Sequence, residues 1–226
     1  MVFKFISNLK NSEKGTTLVE IAVVLFIIAL FFTIMIIGLP EIQRRFALSR
    51  ATYRLAQDLR KARDLSISGV KVKDNGENGG NEFSPSGYGI YINKDKVPDG
   101  STEYVIYADV SGDQTYNNGG SYDYCKDKYP IESDCVIDII DVSKENPSLY
   151  IKEIDTVAVN SGGQATTGKT DIVSINFLPP NPDVKMTDPT DTTVSNFNSI
   201  EIVLGIIDSS SERKIFINKA GLINIQ

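Results

Sequence analysis

The chain has 226 residues and a net charge of −6, with two cysteines and neither histidine nor tryptophan. Lack of histidine removes the commonest general base and metal ligand, and no Gly-x-Ser-x-Gly turn or phosphate-cradling glycine loop stands in for it. The expectation is a non-enzyme with no cofactor, no metal and no small-molecule substrate, long enough for one globular domain beyond an apolar N-terminal segment.

Residues 1–15 read as a short basic leader with a net charge of +2, ending at Gly15. Thr16-Thr17-Leu18-Val19-Glu20 follows, and then 19 residues, Ile21 to Leu39, without a charge. About 20 such residues cross the hydrocarbon of a bilayer, so residues 16–39 are expected to form a transmembrane helix. Glu20 stands at the mouth of that span. An acid at bilayer depth is unfavourable by roughly 2.5 kcal/mol or more and asks for a cationic partner. A cut after Gly15 would create one, the new ammonium of Thr16, which could meet Glu20 of a neighbouring helix.

Three plainer accounts compete. A secretory signal has an apolar core of about 7–15 residues and a small-residue cleavage site beyond it, whereas this run is longer and continues into Pro40-Glu41-Ile42-Gln43. A simple single-pass anchor fits the length but leaves Gly15 and Glu20 without a role. A buried core helix would need a larger domain around it.

The stretch Gly15-Thr16-Thr17-Leu18-Val19-Glu20, with the span behind it, resembles the N-termini of type IV pilins and type II secretion pseudopilins. The resemblance implies that Gly15 is the last leader residue read by prepilin peptidase. It makes Thr16, where the family usually has phenylalanine, the N-methylated new terminus, and Glu20 the assembly glutamate. It also implies insertion in the inner membrane, with residues 41–226 outside the cytoplasm and other pilin or pseudopilin subunits as partners. Charge counting cannot fix that orientation. Three lysines precede the span and four arginines, Arg44, Arg45, Arg50 and Arg54, follow it.

Helical periodicity continues past the span. Leu48, Ala51, Leu55, Leu59 and Ala62 recur at three and four residues, and the charges fall largely elsewhere. Residues 40–69 should therefore form an amphipathic half of the same spine, with a net charge of +4. Gly69 is the expected stop, and Gly38 with Pro40 is expected to interrupt the helix.

Residues 70–226 carry 13 basic and 24 acidic side chains, a net −11. A domain this acidic repels polyphosphate on average, so nucleic acid is not an expected partner. Runs rich in Ile, Val, Tyr and Phe predict strands at Gly87–Asn93, Glu103–Val110, Val136–Val142, Tyr150–Val159, Asp171–Phe177, Ser199–Ile207 and Lys214–Ile225. Their alternation implies antiparallel sheets with one covered face.

Asp109-Val110-Ser111-Gly112-Asp113 has the oxygen spacing of a calcium loop but lacks the later bidentate acid, and a solvated hairpin is expected there. Cys125 and Cys135, in the part expected outside the cytoplasm, most simply form a disulfide. A zinc site is the weaker alternative, because two cysteines without histidine give too few ligands.

The order of Leu59-Arg60-Lys61-Ala62-Arg63-Asp64, Gly87-Tyr88-Gly89-Ile90-Tyr91, Asn176-Phe177-Leu178-Pro179 and the closing Ala220-Gly221-Leu222-Ile223 resembles H-type pseudopilins and FimT-type minor pilins. The arginine motif with which the latter bind DNA is missing, and Arg213, Lys214 and Lys219 are expected to be solvated. The fold class that follows is α+β, a long N-terminal transmembrane spine helix packed on a C-terminal antiparallel β domain.

Overall fold

The computed structural model describes residues 17–73, 82–94, 101–116, 122–127, 133–159, 163–180, 183–190 and 196–226. The chain divides into two compact units at the Gln43/Arg44 boundary. Helix α1, Leu18–Ile67, is assigned without a break through Gly38 and Pro40. The expected interruption is therefore not seen. Proline withholds only its own N–H, and the ladder of i to i−4 bonds resumes beyond it.

In the first unit α1 is apolar and bare. Its most apolar 18-residue window has a mean hydropathy of 3.1 and none of that window is buried, and Phe31 is 72 % exposed. One N-terminal helix is thus long and apolar enough to cross a membrane.

In the second unit the stripe read from the sequence is the packed face. Leu48, Ala51, Leu55, Leu59 and Ala62 are all buried, together with Ala47, Thr52, Ala56 and Ser66. The helix closes with two bonds around Gly69, whose φ is +57°. Gly69 N–H donates to the Ser66 carbonyl at 3.1 Å and Val70 N–H to the Leu65 carbonyl at 3.3 Å. This is the Schellman arrangement, and the left-handed position in it favours glycine.

Twelve strands follow among the described residues: β1 Val72–Lys73, β2 Glu82–Phe83, β3 Gly87–Asn93, β4 Glu103–Asp109, β5 Cys135–Asp141, β6 Leu149–Val159, β7 Ala165–Lys169, β8 Ile172–Phe177, β9 Val184–Thr187, β10 Ser199–Ile206, β11 Glu212–Asn218 and β12 Ile223–Ile225. They form one two-stranded ribbon, β1-β2, and two five-stranded sheets ordered β5-β4-β3-β8-β9 and β12-β11-β10-β6-β7. Every strand pairing within these sheets is antiparallel.

The run expected at Lys214–Ile225 is two strands, because the chain reverses at Gly221, where φ is +78°. Strands β1, β2, β7 and β9 lie outside the expected runs. All five residues of β7 are exposed, so it has no apolar alternation to betray it.

Alternation sets the core. Tyr88, Ile90 and Ile92 of β3 lie opposite Ala108, Ile106 and Tyr104 of β4, and these side chains join the helix stripe in one cluster. The second sheet contributes Ile200, Ile202, Leu204 and Ile206 from β10 to the same cluster. On β6 the matching residues are Ile154, Ile151 and Leu149, and the three-residue step from 151 to 154 is absorbed by a register shift between Val203 and Leu204.

Helix and sheet are also tied by polar bonds. The Tyr104 hydroxyl donates to Asp58 Oδ2 at 2.6 Å and the Ser66 hydroxyl to the Phe177 carbonyl at 2.5 Å. Burial, then the Asp58 carboxylate, pushes the Tyr104 phenol far above its ordinary value, so it stays a donor.

Candidate functional site

Gly15 and Thr16 lie outside the described residues. Thr17 immediately precedes α1, and its hydroxyl oxygen accepts the Glu20 backbone N–H at 3.3 Å. Thr-x-x-Glu at a helix start is the capping-box pattern, and this bond is one side of it. Glu20 occupies the third helical position, in the first turn of α1, where the helix dipole favours an acid. The glutamate therefore stands where its charge suits the helix terminus, independently of any role in assembly.

The second locus was only half legible. Asp109, Asp113 and Asp134 each offer a carboxylate oxygen, all within 4.8 Å of one another. Asp109 and Asp134 are fully buried, whereas Ser111, Gly112 and Asp113 are exposed, so the expected solvated hairpin holds for the tip of the turn and not for the carboxylate at its base. Asp134, 25 positions downstream of Asp109, immediately precedes β5 and brings a third carboxylate to the turn.

These carboxylates already receive donors. Asp109 Oδ1 accepts Gly112 N–H at 2.6 Å and the Ser111 hydroxyl at 3.4 Å, and its Oδ2 accepts Gln114 N–H at 3.0 Å and Asn176 Nδ2 at 2.7 Å. Asp134 Oδ1 accepts Val110 N–H at 3.0 Å and Ser111 N–H at 3.1 Å. These bonds engage both oxygens of Asp109 and one of Asp134, and they close the turn, where Gly112 and Gln114 have φ of +79° and +68°.

Burial raises the Asp109 carboxyl above its usual 3.8, against the lowering pull of Gly112 N–H. The folded state therefore holds this proton more tightly than the unfolded chain does. Between 3.8 and the raised value, acidification through this one group favours folding. At neutral pH the hydrogen bonds should dominate. Asp109→Asn presents an NH2 to converging donors and should lower stability by about 1–3 kcal/mol, read as a lower thermal midpoint. An unchanged midpoint would mean that the buried charge costs as much as its bonds contribute.

Cys125 and Cys135 form the expected disulfide, with Cα atoms 4.8 Å apart, and no zinc site remains available to them. The bridge ties a 3-10 turn, Cys125–Asp127, to the start of β5. It stands beside a second, smaller core made of Tyr91, Val105, Tyr107, Tyr116 and Val136, against which Tyr122 and Tyr124 pack. Tyr116 lies 4.8 Å from the Tyr91 ring and 5.1 Å from the Tyr107 ring. Glycine at position 89 makes room for this, since a Cβ there would meet the Tyr107 ring at 2.6 Å.

The C-terminal cations do not form one patch. Arg213 and Lys214 are neighbours in β11 and so point to opposite faces of the sheet. Lys214 Nζ is held by Glu201 at 2.6 Å, and the Glu201 carboxylate raises its pKa.

Comparison with protein-family models, with curated proteins and with solved structures finds no match to this chain.

Proposed function

We propose that this chain is a structural subunit of a type IV pilus or a type II secretion pseudopilus. It is inserted in the inner membrane as a prepilin, cut after Gly15 by prepilin peptidase, N-methylated at Thr16 and assembled through its N-terminal helix. The observation that carries this reading is a bare apolar helix with one acid, Glu20, in its first turn, running into a half whose stripe is buried in a β domain. A wholly exposed apolar face of this length needs lipid or like helices around it. Its partners are other pilin or pseudopilin subunits, and nucleic acid is not among them.

The mass of the N-terminal peptide of the native protein tests the reading. It should begin at Thr16 and carry one methyl group on its amine. A peptide beginning at Met1, or one beginning beyond Leu39, would defeat it.

A further inference from the structure

The second unit carries two unmatched charge sites that face away from each other. Opposite the buried stripe, α1 presents Phe46 and Tyr53, which are 65 % and 57 % exposed. Arg60 and Lys61 follow about two turns beyond Tyr53, at a shallow depression also lined by Gln57 and Asp64. Both cations are exposed, and neither has an ion pair among the described residues. Arg50 and Arg54, by contrast, reach Glu145 at 4.0 and 3.6 Å.

On the first sheet, Glu103 of β4 stands directly opposite Asp141 of β5. Like charges in that position are mutually destabilising. Among the described residues no cation lies in ion-pair range of either. Among the described residues Asp141 accepts only the Ser143 N–H, at 2.8 Å. Glu103 follows strand alternation away from Tyr104, whose hydroxyl reaches α1. The acidic pair therefore lies on the sheet face turned from the helix, beside the half-buried Tyr122, whose phenol is raised by burial and then by the charge of Glu103.

We infer that these two sites meet between copies, the outer side of α1 around Arg60 and Lys61 on one chain docking against Glu103 and Asp141 of the next. The inference rests on the assembly reading above and names a contact for it. Patches of opposite sign on opposite sides of one unit cannot pair with themselves across a twofold axis. They form a heterologous, head-to-tail contact, which propagates into a helical filament when the rotation does not close. A second copy fits better than a nucleic acid, because a phosphate backbone laid on the helix would also meet the −11 of residues 70–226. A protein partner offers discrete carboxylates, and screening over about 8 Å at physiological salt hides the rest of its charge.

Cysteine cross-linking and a charge swap in assembling cells test the contact. A full-length chain carrying both Lys61→Cys and Glu103→Cys should give a reducible ladder on mild oxidation. Two chains with one change each should stop at a dimer. Arg60→Glu with Lys61→Glu should cut assembled protein at least tenfold without moving the thermal midpoint of the detergent-solubilised chain, and adding Glu103→Lys should restore it. If neither ladder nor rescue appears while the Thr16 terminus is present and assembly still depends on Glu20, this contact is wrong and the assembly reading survives. Loss of processing would remove both. A salt-sensitive shift of duplex DNA that vanishes with Arg60→Glu and Lys61→Glu would assign the cations to nucleic acid and overturn the contact.

Discussion

Glu20→Val should leave the protein in the membrane and abolish its incorporation into filaments. Valine extends the apolar run and removes the one charge in the first turn of the helix, so insertion becomes easier by roughly 2.5 kcal/mol. In the assembly reading the ammonium of Thr16 in a neighbouring chain then loses its counter-ion, and each added subunit would bring an uncompensated cation into an apolar stack. The capping geometry at Thr17 sharpens the test. Glutamine serves a capping box as well as glutamate does, and the Glu20 N–H bond to Thr17 does not involve the carboxylate at all. If Glu20 only finishes a helix, Glu20→Gln should assemble like the parent. If its charge is what a neighbour requires, Glu20→Gln should fail as completely as Glu20→Val. The measurement is the amount of the chain in the sheared filament fraction relative to the membrane fraction. Normal assembly of the glutamine variant would leave Glu20 with its local role alone.

The disulfide is the second place where a small change should have a large effect. Cys125 and Cys135 are 10 positions apart, and closing so short a loop stabilises a fold by on the order of 3 kcal/mol in the chain-entropy model. Replacing both by serine should therefore lower the thermal midpoint by roughly 6–12 °C for a domain of about 150–250 residues. The loss should be felt beyond the bridge. Asp134, next to Cys135, holds the Val110 and Ser111 N–H groups, and Tyr124, next to Cys125, packs against the tyrosine core. The near-ultraviolet circular dichroism of the tyrosines should weaken at temperatures where the far-ultraviolet signal is still native, and reductant should reproduce both effects in the parent protein. Identical midpoints with and without the bridge would show that packing of Tyr116 on Tyr91 and Tyr107 holds this face unaided.

The contact inferred between copies places these two tests in one frame. Glu20 concerns the apolar helix, whereas Arg60, Lys61, Glu103 and Asp141 belong to the unit that begins at Arg44. A chain could keep one and lose the other. Processing, assembly and docking are therefore read out separately, by the N-terminal mass, the filament fraction and the cross-link.

Much of this molecule was written locally. The charge-free run to Leu39 fixes a helix suited to a membrane, because every residue there but Thr33 is apolar whatever its neighbours do, and the Thr33 hydroxyl bonds back to the Ala29 carbonyl. The 3- and 4-residue recurrence from Leu48 to Ala62 fixes which side of the helix is buried, and Gly69 fixes its end because few other residues adopt φ near +57° without strain. The alternation of Ile200, Ile202, Leu204 and Ile206 announces β10, and with only two cysteines in the chain their pairing had one intramolecular solution.

What the sequence left open depends on residues far apart along the chain. Strand order is decided by which apolar faces fit together around the helix. The exposed strand β7 exists because Asp155–Val159 of β6 offers it a backbone ladder, not because its own residues call for one. Asp134 meets Asp109 only once β5 pairs with β4, so a turn whose tip is solvated, as its sequence suggests, has a buried and bonded carboxylate at its base. Likewise Arg54 and Lys61 are equivalent cations in sequence, and only the fold gives the first an ion pair with Glu145 and the second none among the described residues. Periodicity along a chain reports the side of an element that leaves water, whereas the identity of its neighbours is a property of the closed core.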